Sequence, residues 1–316
     1  MQKQKVYAVV GPTASGKTAL SVELAKMLNG EIISCDSMQI YKGMDVGTAK
    51  VTEEETQGVP HHLIDIVSPE SDFSCAEYSS LAKAKIEEIV SRGKTPIFCG
   101  GTGLYLDSVL TANTFSEAEK DESYRAFLET KSVDELHAML TDVDPESAEA
   151  IHKNNVKRVI RALEIFRTTG VTKTEWDKRS RLAEAPYDSL VIGLNFRQRE
   201  TLYQRINLRV DLMLEAGLLD EVKKLDTPAF RSSTASDGIG YKEILRYTDG
   251  LCTLEEAVEE IKKASRNYAK RQITWFARNK SVRWIYPDDC PQGEDKFKFI
   301  VNSSINIINN KENMLY

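Results

Sequence analysis

The chain has 316 residues, 41% of them apolar and 28% charged, the composition of an ordinary folded protein long enough to bury a core without disulfides or metals, with about two domains expected. Lys plus Arg number 42 and Asp plus Glu 48, and the resulting net charge of −6 argues against a strongly basic nucleic-acid binder. No apolar run approaches the roughly 18 residues of a membrane-spanning helix, Val6–Val10 is too short for a secretion signal, and five scattered cysteines without a C-x-x-C pair suggest neither a disulfide framework nor a zinc site. The expected compartment is the reducing cytoplasm.

Lys5–Val10 is a short apolar run ending in Gly11-Pro12 and predicts a buried strand. Leu20, Leu24, Met27 and Leu28 fall at helical spacing in a helix expected over 18–29, closed by Gly30. Glu31–Ser34 predicts a second strand leading to Asp36. His61-His62 is an adjacent pair whose side chains point different ways, a poor metal site. Ala76–Arg92 predicts a helix stopped by Gly93, and Thr95–Cys99 a third strand ending in Gly100-Gly101. Strands separated by helices imply parallel pairing with right-handed crossovers.

From about Thr114 to Pro186 only helix signals occur, with Asp134-Glu135 and Asp144-Pro145-Glu146 as starts. This predicts a helical insertion, 114–186, in a discontinuous core of 1–113 and 187–316. Ser189–Leu194 restores a strand; helices are expected over Glu200–Ala216 and Leu254–Ala277, and a last strand over Val282–Tyr286. Phe297, Ile300, Val301, Ile305 and Ile308 mark a terminal amphipathic helix. The fold class is α/β: a P-loop NTPase-like parallel sheet with a helical insertion domain.

Gly11-Pro12-Thr13-Ala14-Ser15-Gly16-Lys17-Thr18 matches G-x-x-x-x-G-K-[ST] between a strand and a helix, the context that the motif requires. Backbone N–H groups and a helix N-terminus converge there on an anion. Lys17 adds a compact positive charge and the Thr18 hydroxyl can ligate Mg²⁺. The motif specifies a diphosphate-type site and leaves the anion open. The partners usual in an ATPase or GTPase are missing: the third strand ends without an acidic residue, and Asn279-Lys280-Ser281-Val282 lacks the Asp of a guanine-reading N-K-x-D. The acidic residue stands after the second strand, as Asp36, where it can ligate metal, accept a proton or cap a turn.

Several segments together resemble the tRNA dimethylallyltransferase (tRNA isopentenyltransferase) family: 11–18, Asp36-Ser37-Met38-Gln39 with its continuation to Lys50, His61–Asp65, Gly100–Tyr105, Asn155–Glu164, Gly238–Lys242 and Lys270–Trp275. They run in family order over roughly residues 6 to 286. The resemblance implies transfer of a dimethylallyl group from dimethylallyl diphosphate to N6 of the adenosine beside the anticodon, position 37, in tRNAs reading codons that begin with U. Pyrophosphate leaves and Mg²⁺ assists. It further implies Asp36 as the catalytic aspartate, Thr102 beside the reacting atoms and Arg209 on the pyrophosphate, with Arg205 as second choice. The implied tRNA contacts are Asp36, Ser37, Met38, Gln39, Thr102, Arg125, Lys157, Arg158, Arg161, Gly240, Tyr241, Lys270 and Arg271. Val51 stands where the family often has Pro, and the tail lacks the Cys/His finger of eukaryotic members, so the chain looks like the bacterial type with no obligate protein partner.

A base stacked in an anticodon loop must be extruded before it can react, and the phosphates around it call for positive surface. From Lys153 to Arg181 there are nine basic residues against three acidic, and from Lys262 to Arg283 eight against none. These stretches carry +6 and +8, leaving −20 on the remainder, so the net charge averages over a segregated chain. The alternatives are an adenylate isopentenyltransferase, which does not need the long insertion, a P-loop nucleotide kinase or ATPase, and a non-catalytic RNA-binding module.

Overall fold

The computed structural model of the chain describes residues 3–111, 121–182 and 184–313; the expected insertion boundary at 113/114 lies outside them. The described chain divides into two compact units, 1–106 with 187–316, and 107–186.

The first unit is built on six parallel strands, β1 (Lys5–Val10), β2 (Gly30–Ser34), β3 (His61–His62), β4 (Thr95–Gly100), β5 (Asp188–Leu194) and β6 (Arg283–Ile285). Their order is β3-β2-β4-β1-β5-β6. In the central strands the apolar runs are buried on both faces, as crossover helices require. The register sets Val10 opposite Gly100 and Gly193, and Ser34 opposite Cys99. Because β4 lies between β1 and β2, the loops leaving these three strands are neighbours at the carboxyl edge of the sheet, where parallel sheets hold their ligands.

The helices Lys17–Met27 and Lys296–Asn313 cover one face, burying Leu20, Leu24, Ile300 and Ile308 with Ile32, Ile97 and Ile192. A second core joins Ile40 and Met44, from the loop after β2, to helices Arg199–Glu215, Leu218–Leu225, Tyr241–Thr248 and Leu254–Ala277 through Val210, Val222, Tyr241, Ile244 and Ile261. The helices at 218–225, 228–232 and 241–248 were not expected from the sequence reading. Neither was β3: the histidine pair is an edge strand, with His62 Nε2 at 2.6 Å from Glu31 Oε2 and His61 Nδ1 donating to the Val59 carbonyl at 2.8 Å.

The second unit is all helical among its described residues, with its own core of Leu128, Leu136, Leu140, Val159 and Leu163. Helix Val133–Val143 begins at a capping box in which Ser132 and Glu135 satisfy each other's backbone donors. Asp144 caps the next helix, with Pro145 at its first position, and also accepts the Thr174 N–H at 3.0 Å. No helix among the described residues is long and apolar enough to cross a membrane.

Candidate active site

The loop after β1 turns at Gly11, φ +143°, where an added Cβ would lie 2.2 Å from the Leu194 carbonyl oxygen. The following N–H groups wrap toward helix Lys17–Met27. The Lys17 ammonium donates to the Pro12 carbonyl at 2.7 Å. Burial pushes it down to about 8, with the charge of Arg209 acting in the same direction and those of Cys99 and Asp36 opposing. Ser15 Oγ is buried without a hydrogen-bond partner among the described residues.

Asp36 leaves the end of β2 one strand position from Thr102 and two from the P-loop, so the aspartate and the phosphate cradle stand roughly 10 Å apart in strand spacings. Asp36 Oδ1 accepts the Met38 N–H at 2.9 Å, which sets the turn. Thr102 Oγ1 accepts the Ser37 N–H at 3.0 Å and donates to Ser37 Oγ at 3.3 Å, while the Thr102 N–H donates to the Cys35 carbonyl at 3.0 Å. Asp36 and Thr102 therefore sit on loops tied to each other.

A cavity of about 320 Å³ opens over these loops. Lys17, Thr18, Asp36 and Arg209 line it together, with Thr13, Ser37, Met38, Gln39, Tyr241 and Arg271. Its apolar side comes from Ile206, Val210, Met213, Ile239 and Ile261. Burial lowers the Arg209 guanidinium from its ordinary value, and the Asp36 charge opposes that shift. Of the two candidate arginines, Arg209 reaches the cavity. Arg205 braces the P-loop, its Nε donating to the Ala14 carbonyl at 2.8 Å.

Several lining residues are not among those expected from sequence, and two of them, Gln272 and Tyr268, lie on helix Leu254–Ala277. Gln272, only 4% exposed, accepts the Thr13 N–H on Oε1 at 2.8 Å and donates from Nε2 to the Gly101 carbonyl at 3.1 Å. It thereby links the P-loop to the loop that carries Thr102. Tyr268 lines the cavity one turn earlier. Ile261, Ser265, Tyr268 and Gln272 follow helical spacing on one face, a periodicity legible in the sequence but masked by the basic residues between them.

The segment after Asp36 folds back on itself. Gln39 accepts from Ser34 Oγ at 3.1 Å and donates to the Thr48 and Ala49 carbonyls at 3.3 and 3.2 Å. Lys50 donates to the Tyr41 carbonyl and to Asp45, both at 2.6 Å, and pairs with Asp65. Val51 follows this clasp and takes no part in the cavity lining. Gly240 adopts φ +99° ahead of helix Tyr241–Thr248. Tyr241 is buried, with its hydroxyl donated to Glu221 at 2.6 Å.

Lys270 and Arg271 are exposed on helix Leu254–Ala277, and Arg271 also reaches the cavity. In the second unit, Arg125 and Arg161 converge on the buried Glu164 at 3.4 and 3.5 Å. Lys157 and Arg158 are exposed, with no ion pair among the described residues.

The family model described as IPP transferase matches residues 39–280. The chain belongs to this family. Among relatives carrying the name tRNA dimethylallyltransferase, that of Bacillus subtilis is 54% identical over 287 residues, 90% of this chain and 91% of the relative. That of Anoxybacillus flavithermus is 53% identical over 282 residues, 89% and 90% of the two chains. A crystal structure of the full-length tRNA isopentenylpyrophosphate transferase from Bacillus halodurans is 45% identical, with a TM-score of 0.73 over 99% of this chain and all of that one. A eukaryotic dimethylallyltransferase described as acting on tRNA is 31% identical, with a TM-score of 0.82 over 97% of this chain and 80% of its own.

Proposed function

We propose that the protein is a tRNA-modifying prenyltransferase, which moves a dimethylallyl group from dimethylallyl diphosphate to N6 of adenosine 37 in tRNAs reading codons that begin with U. The observation that carries this reading is the meeting, in one cavity, of an anion cradle and a carboxylate on a separate loop. A kinase transfers a phosphoryl group and needs its acceptor beside the phosphates. Here Asp36 stands two strands away, which suits a donor whose reacting carbon projects beyond the phosphates.

Lys17, Arg209 and the P-loop N–H groups hold the diphosphate and stabilise the charge that gathers on it as its bond to carbon breaks. The apolar side chains of Val210, Met213 and Ile261 give the five-carbon chain a dry wall. Adenine N6 is a weak nucleophile because its lone pair is delocalised into the ring. Asp36 accepts a hydrogen bond from N6–H, orients the amine and takes its proton as the C–N bond forms, and pyrophosphate leaves. Thr102 is not itself among the cavity-lining residues; it accepts the Ser37 N–H and so steadies the loop that carries Asp36.

Thr18 would hold Mg²⁺. Thr18 lines the cavity beside Lys17, and a single hydroxyl there suits an ion that takes most of its ligands from phosphate and water. When bound, it neutralises charge on the diphosphate. The RNA is held by Lys270 and Arg271, and by Lys157 and Arg158 of the helical unit, and the reaction belongs in the cytoplasm.

Incubation with labelled dimethylallyl diphosphate and unmodified tRNA tests the reading, with label expected on the tRNA. Label on free AMP instead would make the protein an adenylate prenyltransferase. Phosphate release from ATP without any prenyl transfer would make it a nucleotide-hydrolysing enzyme.

A further inference from the structure

Glu221, on helix Leu218–Leu225, uses both carboxylate oxygens on one loop and shares one of them with Tyr241. Oε2 accepts the Asp45 and Val46 N–H groups at 2.8 and 2.7 Å, and Oε1 accepts the Gly47 N–H at 3.0 Å and the Tyr241 hydroxyl at 2.6 Å. Three consecutive backbone donors form an anion-holding nest, and bonds to a charged acceptor are about twice as strong as neutral ones. The Tyr241 ring closes the arrangement: a Cβ on Gly47 would lie 2.6 Å from it, so only glycine fits there. The pinned loop continues into Thr48 and Ala49, which line the cavity and whose carbonyls hold the Gln39 amide. None of these contacts reaches the P-loop.

We propose that Glu221 is a positioning residue for the acceptor half of the site: it fixes the wall of Gly47–Ala49 and Gln39 against which the extruded base is held, and Tyr241 is its brace. The assignment rests on the prenyl-transfer reading above. It explains why a buried tyrosine, with its hydroxyl already committed, lies so close to the reacting groups. It also separates two halves of the cavity that respond to different residues, the cradle to Lys17 and the acceptor wall to Glu221.

Glu221→Gln keeps the size of the side chain but turns an NH₂ toward donors. In the full-length protein it should raise amide exchange at Asp45–Gly47 at least about tenfold and raise KM for an anticodon stem-loop by about the same factor. Pyrophosphate affinity should stay within about twofold, because the cradle is untouched. Tyr241→Phe, which leaves the carboxylate on its three N–H groups, should shift exchange and KM the same way by a smaller factor, and it decides the matter if the first variant does not fold. Unchanged exchange at 45–47, or equal loss of pyrophosphate and RNA binding in folded variants, overturns the proposal. If the wild type transfers no prenyl group, the functional reading fails, while the exchange experiment still decides whether Glu221 holds the loop.

Discussion

Asp36 and Lys17 enter the same cavity from different strands, and their removal should have opposite signatures. Asp36→Ala removes the proposed proton acceptor and leaves the proposed cradle intact. Transfer should fall by about 10²–10⁴-fold, while pyrophosphate affinity, measured by calorimetry, stays within a few fold. Lys17 is a buried cation whose pKa lies near 8 instead of 10.5, a difference corresponding to about 3 kcal/mol against the folded state. The sign follows from the direction: the penalty is fully present below about pH 8 and fades as pH rises toward the unfolded value. Lys17→Met should therefore raise the Tm of the ligand-free protein at neutral pH and abolish the Tm increase that pyrophosphate gives the wild type. In the wild type, pyrophosphate affinity should weaken several-fold as pH rises from about 7 to about 9, because the ammonium loses its charge in that window.

Helix Leu254–Ala277 does more than carry charge. Its Gln272 joins two ligand loops, and its Trp275 packs so close to Gly103, the first residue of helix Gly103–Leu110, that a Cβ there would lie 2.1 Å from the ring. Gly103→Ala should cost about 1–3 kcal/mol in urea denaturation by forcing the indole aside, and should loosen the Thr102 loop with it. The strands were legible because apolar runs in a parallel sheet announce themselves: Lys5–Val10 is found with the boundaries expected. β3 was not, since two histidines at a sheet edge have no such run and owe their place to Glu31 and the backbone of β2. Leu218, Leu219, Val222 and Leu225 do carry helical spacing, but the short run follows directly on Gly217, which interrupts the pattern after the helix expected over Glu200–Ala216. Cavity residues with a motif, such as Lys17 and Asp36, could be named from sequence. Gln272 and Glu221 could not, because their meaning lies in what they touch across more than 150 residues of chain.

Across the molecule, the basic stretches are less free than their composition suggests. Lys153 pairs with Asp134, Lys173 with Asp177, Lys178 with Glu146 and Arg179 with Glu175, so much of the positive charge in the second unit is internally neutralised. Lys157 and Arg158 stay exposed without an ion pair among the described residues, as do Lys263, Lys270, Arg271 and Arg278 in the first unit. These are the side chains expected to displace counterions from RNA. The slope of log affinity against log salt should become shallower by about 0.7–0.9 for each of Lys157→Ala and Arg158→Ala, as read by anisotropy with a labelled anticodon stem-loop. Lys153→Ala should leave the slope close to the wild type, its charge being already spent on Asp134.

The proposed cradle around Gly11–Thr18 offers a diphosphate only backbone amides and a lysine, none of which senses the carbon attached beyond the phosphates. On the prenyl-transfer reading proposed above, it would retain the departing pyrophosphate by the same contacts that capture the donor. The spent fragment would then be a built-in competitor of the next substrate, and turnover in a cell would be coupled to whatever hydrolyses free pyrophosphate.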